Sequence, residues 1–176
     1  LSQTTELAVN SYQYDAANRL TSVDGVSYTW DNNGNLLNDG VNTYVYDSAN
    51  RLTALSNQQS ASSYQYNGLG DRLTQSVTGD TTNYTLDLNA GLTQVLNDGT
   101  NTYLYGMGRI AQAAGTTTEY FLGDALGSVR QLTDASGEIT LAKSYQPYGD
   151  AMSSVGSGSS PFAFTGEQQD VSGLTY

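Results

Sequence analysis

Four aspartates, Asp15, Asp31, Asp47 and Asp87, recur at matching places along the chain, and their carboxyl groups are the side chains best suited to acid–base work. An aspartic-type hydrolase needs two carboxyls close enough to share one proton. An Asp that returns once per repeat beside Asn and Gly is better suited to opening a turn, because its side chain bonds the backbone two residues on. The stretch Asp31-Asn32-Asn33-Gly34-Asn35 has the oxygen-rich character of a calcium loop. Such a loop closes on a bidentate Glu, and no Glu follows, so a turn is expected, with adventitious Ca2+ on an acidic surface as the alternative. Arg19, Arg51 and Arg72 raise the question of an anionic ligand; one Arg per repeat, beside Asp or Asn, is expected to pair locally or to cap carbonyls. The chain has no Cys and no His. This removes Ser-His-Asp and Cys-His catalysis, Cys- or His-built zinc sites and disulfide staples. The expectation is a protein that is not an enzyme, with no catalytic, cofactor-binding or metal-binding residues and no cofactor.

Those aspartates belong to a phrase that returns. It reads Tyr12-Gln13-Tyr14-Asp15-Ala16-Ala17-Asn18-Arg19-Leu20, then Tyr28-Thr29-Trp30-Asp31-Asn32-Asn33-Gly34-Asn35-Leu36, then Tyr44-Val45-Tyr46-Asp47-Ser48-Ala49-Asn50-Arg51-Leu52. Looser copies begin at Tyr64, Tyr84 and Tyr103. An array of this kind is assembled from one small unit that cannot bury its apolar side alone. Each copy holds two β-prone runs joined by turn residues. Asp24-Gly25 between two such runs predicts a hairpin with a primed two-residue turn, and the same arrangement is expected at residues 36–41 and 95–100. Tyr12 and Tyr14 are two apart, as are Tyr28 and Trp30, and Tyr44 and Tyr46, so each pair should face one side of its strand and join aromatic stripes across the sheet. Stacked copies would make a sheet about sixteen strands wide, and antiparallel sheets beyond ~10 strands curl or split. The predicted fold class is all-β: repeated antiparallel β-hairpins forming a long curling ribbon.

Composition narrows the partners. The 176 residues carry a net charge of −11, and the six basic residues are spread along the chain rather than clustered. Nucleic acid, which requires clustered Lys and Arg, is therefore not expected as a partner, nor is an anionic membrane. No run approaches the ~20 apolar residues of a membrane span. Fourteen Tyr carry most of the aromatic mass and suit a sheet with one dry side and one wet side. The opening on Leu1 suggests a processed product or a fragment. Asn83-Tyr84-Thr85 has the glycosylation spacing, but Tyr84 sits where a strand is expected and no glycan is anticipated.

From about Thr118 the period changes. Residues 120–138 read as another hairpin, residues 153–160 as a Gly/Ser loop ending at Pro161, and Phe162-Ala163-Phe164-Thr165-Gly166 as a short alternating strand. Two regions are expected: repeats over 1–118 and a distinct segment over 119–176.

The ordered series resembles the YD-repeat proteins of the RHS (rearrangement hot spot) type. Residues 119–176 are similar to the beginning of the RHS-associated core: Asp124-Ala125-Leu126-Gly127-Ser128-Val129-Arg130, Tyr145-Gln146-Pro147-Tyr148-Gly149, Phe162-Ala163-Phe164-Thr165-Gly166 and Gly173-Leu174-Thr175-Tyr176. The resemblance implies a segment of a hollow β-shell, bacterial, secreted or at the cell surface, that encapsulates or carries an effector. The sequence stops before the family's Asp-Pro motifs, so no autoproteolytic residue is carried over. The second reading is an extracellular fibre or adhesin whose Tyr stripes bind carbohydrate or a neighbouring cell. Expected partners are the rest of the parent chain or identical copies through exposed strand edges, an effector cargo, and carbohydrate. Free strand edges also predict end-to-end association of the isolated chain.

Overall fold

The computed structural model describes residues 11–170 and 172–176. Two compact units divide the chain, Leu1–Thr81 and Thr82–Tyr176. In the first unit, β1 (Tyr12–Tyr14), β2 (Leu20–Val23) and β3 (Val26–Ser27) form a three-stranded sheet. A seven-stranded sheet follows, made of β4 (Thr29–Trp30), β5 (Leu36–Asn38), β6 (Thr43–Tyr46), β7 (Leu52–Ser56), β8 (Ala61–Tyr66), β9 (Arg72–Val77) and β10 (Asp80–Asn83). The second unit holds an eight-stranded sheet: β11 (Thr85–Asp87), β12 (Gln94–Asn97), β13 (Thr102–Tyr105), β14 (Arg109–Ala114), β15 (Thr117–Gly123), β16 (Val129–Thr133), β17 (Ile139–Tyr145) and β18 (Ala151–Gly156). Strands pair antiparallel with their neighbours in chain order. The described residues contain no α-helix, and a single 3-10 turn spans Phe164–Gly166. The all-β ribbon of hairpins is the observed fold.

The recurrent turn explains the recurrent phrase. The N–H of Asn18 donates to the Asp15 carbonyl and the N–H of Asp15 donates to the Arg19 carbonyl, both at 3.0 Å. Asn18 has φ 60° and its counterpart Asn50 has φ 59°, while Gly34 stands at the same place with φ 86°. This is a tight turn followed by a left-handed residue, which only Gly, Asn or Asp adopts readily; hence the exchange of Asn and Gly at the seventh position of the phrase, the fourth of the turn. The extra residue shifts the register beside the second aromatic of each pair, between Gln13 and Tyr14, Val45 and Tyr46, and Gln65 and Tyr66. A bulge of this type bends its strand and increases the local twist.

Side-chain alternation follows the pleat. In β8, Ser62 and Tyr64 are buried while Ser63 and Gln65 are exposed; in β13, Tyr103 is buried and Leu104 is exposed. Rings two apart therefore share a face. The principal core lies in the second unit, where Tyr103, Val129, Leu132, Leu141 and Phe162 pack together with Val95, Tyr105 and Phe121.

Four expectations are corrected. Asp24-Gly25 is the predicted two-residue turn, with Val23 opposite Val26, but the loops at 39–40 and 98–99 are four residues long, with Asn38 opposite Thr43 and Asn97 opposite Thr102. The reason is an Asp side chain that caps the longer loop, described below. Tyr28 and Trp30 do not share a strand. Ser27 pairs back with Ser22 and Thr29 pairs forward with Asn38, so Tyr28 lies in the exchange between ladders, and Tyr84 lies in the same kind of break between β10 and β11. Residues 153–156 belong to β18, because Ser153, Ser154 and Val155 find backbone partners in Ser144, Lys143 and Ala142, whatever their side chains. Finally, residues 162–166 are not a strand. Thr165 and Gly166 have φ 54° and 76°, and the backbone turns on itself through Gly166 N–H to the Ala163 carbonyl at 3.2 Å.

Candidate functional site

The turn edge of the ribbon is built as a series of stitches. Asp15 Oδ1 accepts from the N–H of Ala17 and of Arg19, both at 2.9 Å, and Asp15 Oδ2 takes Arg19 Nε at 2.7 Å. Asp47 repeats this with Ala49 and Arg51. The backbone N–H and then the guanidinium of the facing Arg hold both carboxyls below the usual carboxylate range. The side-chain amide and N–H of Asn35 do the same for Asp31. Each turn also reaches the next one. Arg19 Nη1 donates to the Asp31 carbonyl at 3.1 Å, Arg51 Nη1 to the Asn67 carbonyl at 2.9 Å, and Asn35 Nδ2 to Asn50 Oδ1 at 2.9 Å.

The second aromatic of three pairs makes a further tie to the copy before it. Trp30 Nε1 donates to the Leu20 carbonyl at 2.7 Å, Tyr66 Oη to Leu52 at 2.7 Å and Tyr105 Oη to Val95 at 3.0 Å, and the unpaired Tyr145 does the same to Val129 at 2.8 Å. Leu20 and Leu52 lie at the bulges, where the ladder loses a partner, so the ring's polar tip satisfies a carbonyl that the sheet leaves over.

The first aromatic serves the opposite loop. Tyr44 Oη donates to Asp39 Oδ2 at 2.8 Å, and Tyr103 Oη to Asp98 Oδ2 at 2.5 Å. Burial works to raise the Asp39 carboxyl, but the N–H and side chain of Asn42 and the Tyr44 hydroxyl outweigh it and hold it at about 2. Burial and the Asp39 carboxylate push the Tyr44 phenol up to about 12. Tyr103, more deeply buried, is raised further by the same causes.

Across one face of the eight-stranded sheet runs a strap, residues 157–170. It leaves β18 with the Gly158 N–H on the Thr140 carbonyl at 2.8 Å. Lys143 Nζ then donates to the Ser160 carbonyl at 3.3 Å, and the buried Gln112 Nε2 donates to the Ser159 carbonyl at 2.7 Å and to Glu119 Oε2 at 2.8 Å. Phe162 meets Tyr103 edge-on at 5.0 Å between ring centres and Phe121 at 6.4 Å. The Val129 N–H donates to the Ala163 carbonyl at 2.9 Å, and the Thr165 N–H to Ser128 Oγ at 3.0 Å. Gln168 Nε2 reaches Tyr84 Oη, beside β11, at 3.4 Å. The strap thus touches the sheet from its β18 edge almost to its β11 edge.

Arg109 sits beneath it. Its guanidinium lies 3.1 Å from the Phe162 ring centre, 5.5 Å from that of Phe121 and 5.6 Å from that of Tyr105, and Nη2 donates to the Gly166 carbonyl at 3.2 Å. Burial pushes this guanidinium below its ordinary value, and the Tyr105 hydroxyl works the other way.

The residues weighed for chemistry are thereby placed. Asp15, Asp31 and Asp47 serve their own turns, and Asp87 accepts from the N–H of Asn89 at 2.9 Å. Arg19 and Arg51 pair with those carboxylates, and Arg72 is buried with its guanidinium 5.6 Å from the Tyr64 ring. Among the described residues no group of three or more His, Cys, Asp or Glu is arranged to hold a metal ion, and no helix is long and apolar enough to cross a membrane. Sequence reasoning missed the strap. Its signal was Phe162 and Phe164 after a Gly/Ser stretch.

A wall of stitched antiparallel hairpins, with a segment laid across one face, is the architecture of a shell-forming repeat protein. The family model described as Teneurin YD-shell matches residues 1–172, and the chain belongs to that family. It is 32% identical over 146 residues to the tRNA3(Ser)-specific nuclease WapA of Bacillus spizizenii, a match that takes in 78% of this chain and 6% of that protein. Among solved structures it is similar to the TcdB2-TccC3-Cdc42 crystal structure, with a TM-score of 0.60 and 17% identity over 95% of this chain and 11% of that one. The TcdB2-TccC3 crystal structure gives 0.58 and 15%, and the Tc holotoxin pore of Photorhabdus luminescens gives 0.55 and 17%, each over the same shares. The chain therefore spans a small part of the length of the proteins it matches. Membership of the YD-shell family supports a structural shell role, and the solved structures share the fold.

Proposed function

We propose that this chain is a length of wall in a bacterial YD-repeat shell, and that the shell encloses or carries an effector of the same parent polypeptide. In this reading residues 1–118 are wall repeats and residues 119–176 the specialised segment that begins the core region. The protein's work is mechanical rather than enzymatic, and the parent is secreted or displayed at the cell surface. The carrying observation is the stitch from each turn to the next, Arg19 to Asp31 and Arg51 to Asn67, which uses polar groups to extend a wall rather than to line a reaction site. The edge strand β18 would pair with further parent chain or with another copy, since an open edge offers unpaired N–H and C=O groups. No nucleic acid partner is proposed.

A second reading rests on Tyr12 and Tyr14, which are 53% and 58% exposed and would present aromatic surface to sugar in an extended fibre or adhesin. Electron microscopy of the intact parent protein separates the two. Hollow particles with internal density are expected; solid rods, together with glycan-array binding lost in Tyr14→Ala, would replace the shell by the fibre.

A further inference from the structure

In a ribbon whose strands pair in chain order, every second turn falls on the same edge, so the eight-stranded sheet has two opposite rows of turns. One row holds the turns β11–β12, β13–β14, β15–β16 and β17–β18, and each lifts a large apolar side chain into solvent. Leu92 is 86% exposed, Leu126 67% and Tyr148 97%, and Met107 is fully exposed. The other row holds Asp98-Gly99-Thr100-Asn101, Gly115-Thr116 and Asp134-Ala135-Ser136-Gly137-Glu138, with no large apolar residue. Ile139 is exposed near that row, but it belongs to β17. Apolar residues scattered singly over a surface need no explanation. Here all four turns of one row carry one and none of the three opposite does, which separates the two edges chemically.

The turns themselves do not require these side chains. The third residue of the Asx turn gives its N–H to the side-chain oxygen of the first, at 3.0 Å for Leu126, 2.9 Å for Ala17 and Ala49 and 2.8 Å for Ser136. Small or polar residues close the same turn, so the Leu126 side chain serves something beyond it. Burying exposed apolar surface is favourable, and the arrangement of the row limits what can bury it. Successive hairpins are two strands apart, so the tips stand about 10 Å from one another, a period that another array of the same hairpins reproduces. The partner must also bring apolar surface of its own, which the opposite edge lacks. A lipid surface is disfavoured, because segments that lie on membranes carry Lys and Arg, whereas these four turns contain Asp124 and Asp150 and no basic residue. We propose that this turn edge is an interface between two copies of the chain, apolar edge against apolar edge across a two-fold axis. Four tips are fewer than the ~20–30 residues a side of a standard interface. The contact is therefore weak between free chains and gains strength where lengths of ribbon are already held side by side. It uses side chains rather than the backbone groups of β18, and it serves a capsule or a fibre alike, so its failure would leave the shell reading standing.

Sedimentation of the full chain over a range of concentrations tests this. A monomer–dimer equilibrium is expected, tightening as added salt screens Asp124 and Asp150. Replacing the row together, Leu92→Ser, Met107→Ser, Leu126→Ser and Tyr148→Ser, should weaken dimerisation by roughly tenfold or more. Thr100→Ala with Thr116→Ala, on the opposite edge, should leave it unchanged. The chain has no Cys, so introduced thiols locate the contact without relying on the fourfold variant. A mixture of Met107→Cys and Leu126→Cys chains should be joined by a short bis-maleimide, and a mixture of Thr100→Cys and Thr116→Cys chains should not. A monomer at every concentration, equal association in the fourfold variant, which would give the contact to β18, or equal cross-linking at the two edges would each overturn the proposal. So would binding to phosphatidylcholine vesicles that the fourfold variant loses, since lipid would then be the occupant.

Discussion

Residues 37–46 and residues 96–105 are nearly the same sentence, Leu-Asn-Asp-Gly-x-Asn-Thr-Tyr-x-Tyr, differing only at Val41 against Thr100 and Val45 against Leu104. Both fold into the same capped loop, with Asp39 or Asp98 accepting from two backbone N–H groups and from the Tyr hydroxyl. Yet Tyr44 is half-buried, while Tyr103 is 4% exposed and stands in the main core. The phrase therefore fixes local geometry and leaves burial to whatever lies against it. In the second unit that is Phe162, arriving from some sixty residues further along. Local chemistry builds the wall, and a long-range partner turns one stretch of wall into a core.

Removing that partner should break the contrast most severely. Phe162→Ala is expected to cost about 3–5 kcal/mol in the second unit, as for other buried Phe truncations, and nothing in the first. Urea unfolding followed by hydrogen exchange reads the units separately, and Trp30 fluorescence reports the first alone. A shift of the Trp30 transition as large as that of β16 amides would show that the distinction between the two phrases is not local.

The hydroxyl pair comes next. Tyr103→Phe removes a donor from Asp98 inside a buried region and should destabilise the second unit by about 1–3 kcal/mol. Tyr44→Phe makes the identical change on a wetter loop, where water replaces the hydroxyl, and should cost well under half of that. Equal losses in the two variants would mean that the Phe162 contact adds nothing to the environment of the Asp98 loop.

How far the sequence could be read follows from the same comparison. The hairpins, the ring pairs on one face, the Asx turns and the local duties of Arg19 and Arg51 all depend on residues within about twenty positions of one another. A single sequence displays such short-range rules directly. The family resemblance, resting on the ordered series of these phrases, was legible for the same reason. The strap was not, because Phe162-Ala163-Phe164 alternates like a strand and its true partners, Tyr103, Arg109 and Val129, are set by tertiary packing. The four-residue loops at Asp39 and Asp98 were misread because Asp-Gly usually signals a two-residue turn; the deciding residues, Asn42 and Asn101, lie beyond it. The breaks at Tyr28 and Tyr84 depend on which neighbour each half-strand pairs with, and no local pattern records that.

The glycines of the two phrases invert the order of sensitivity. Gly40 and Gly99 have φ 86° and 84°, so an added side chain is strained at both. At Gly99 a Cβ would meet nothing within 4 Å, whereas at Gly40 it would fall 2.1 Å from Val26 Cγ1. Gly40→Ala should therefore be worse than Gly99→Ala by about 1 kcal/mol, the low end of overpacking costs, since half-exposed Val26 can turn aside. Thermal unfolding of the two variants, read unit by unit, measures the gap. A reversed order would mean that the core around Tyr103 resists backbone strain less well than the wetter loop.

The smallest effect separates the phrases by titration. The Asp39 carboxyl is held at about 2, below its ordinary 3.8, so the folded state gains from it above pH 4 and loses that gain as pH falls through 2. The Tyr44 phenol is raised to about 12 from 10.0; its contribution is complete below pH 10 and disappears as pH rises through 12. Tyr103 is raised further, because its ring is buried more completely against the same carboxylate arrangement. In an alkaline titration followed by tyrosinate absorbance, difference curves against Tyr44→Phe and Tyr103→Phe should show Tyr44 ionising first. Tyr103 should follow only as the second unit opens, because its proton is held by Asp98 and the ring is roofed by Phe162. Tyr103 ionising before Tyr44 would place the dry environment in the wrong phrase, and the burial contrast between the two loops would have to be abandoned.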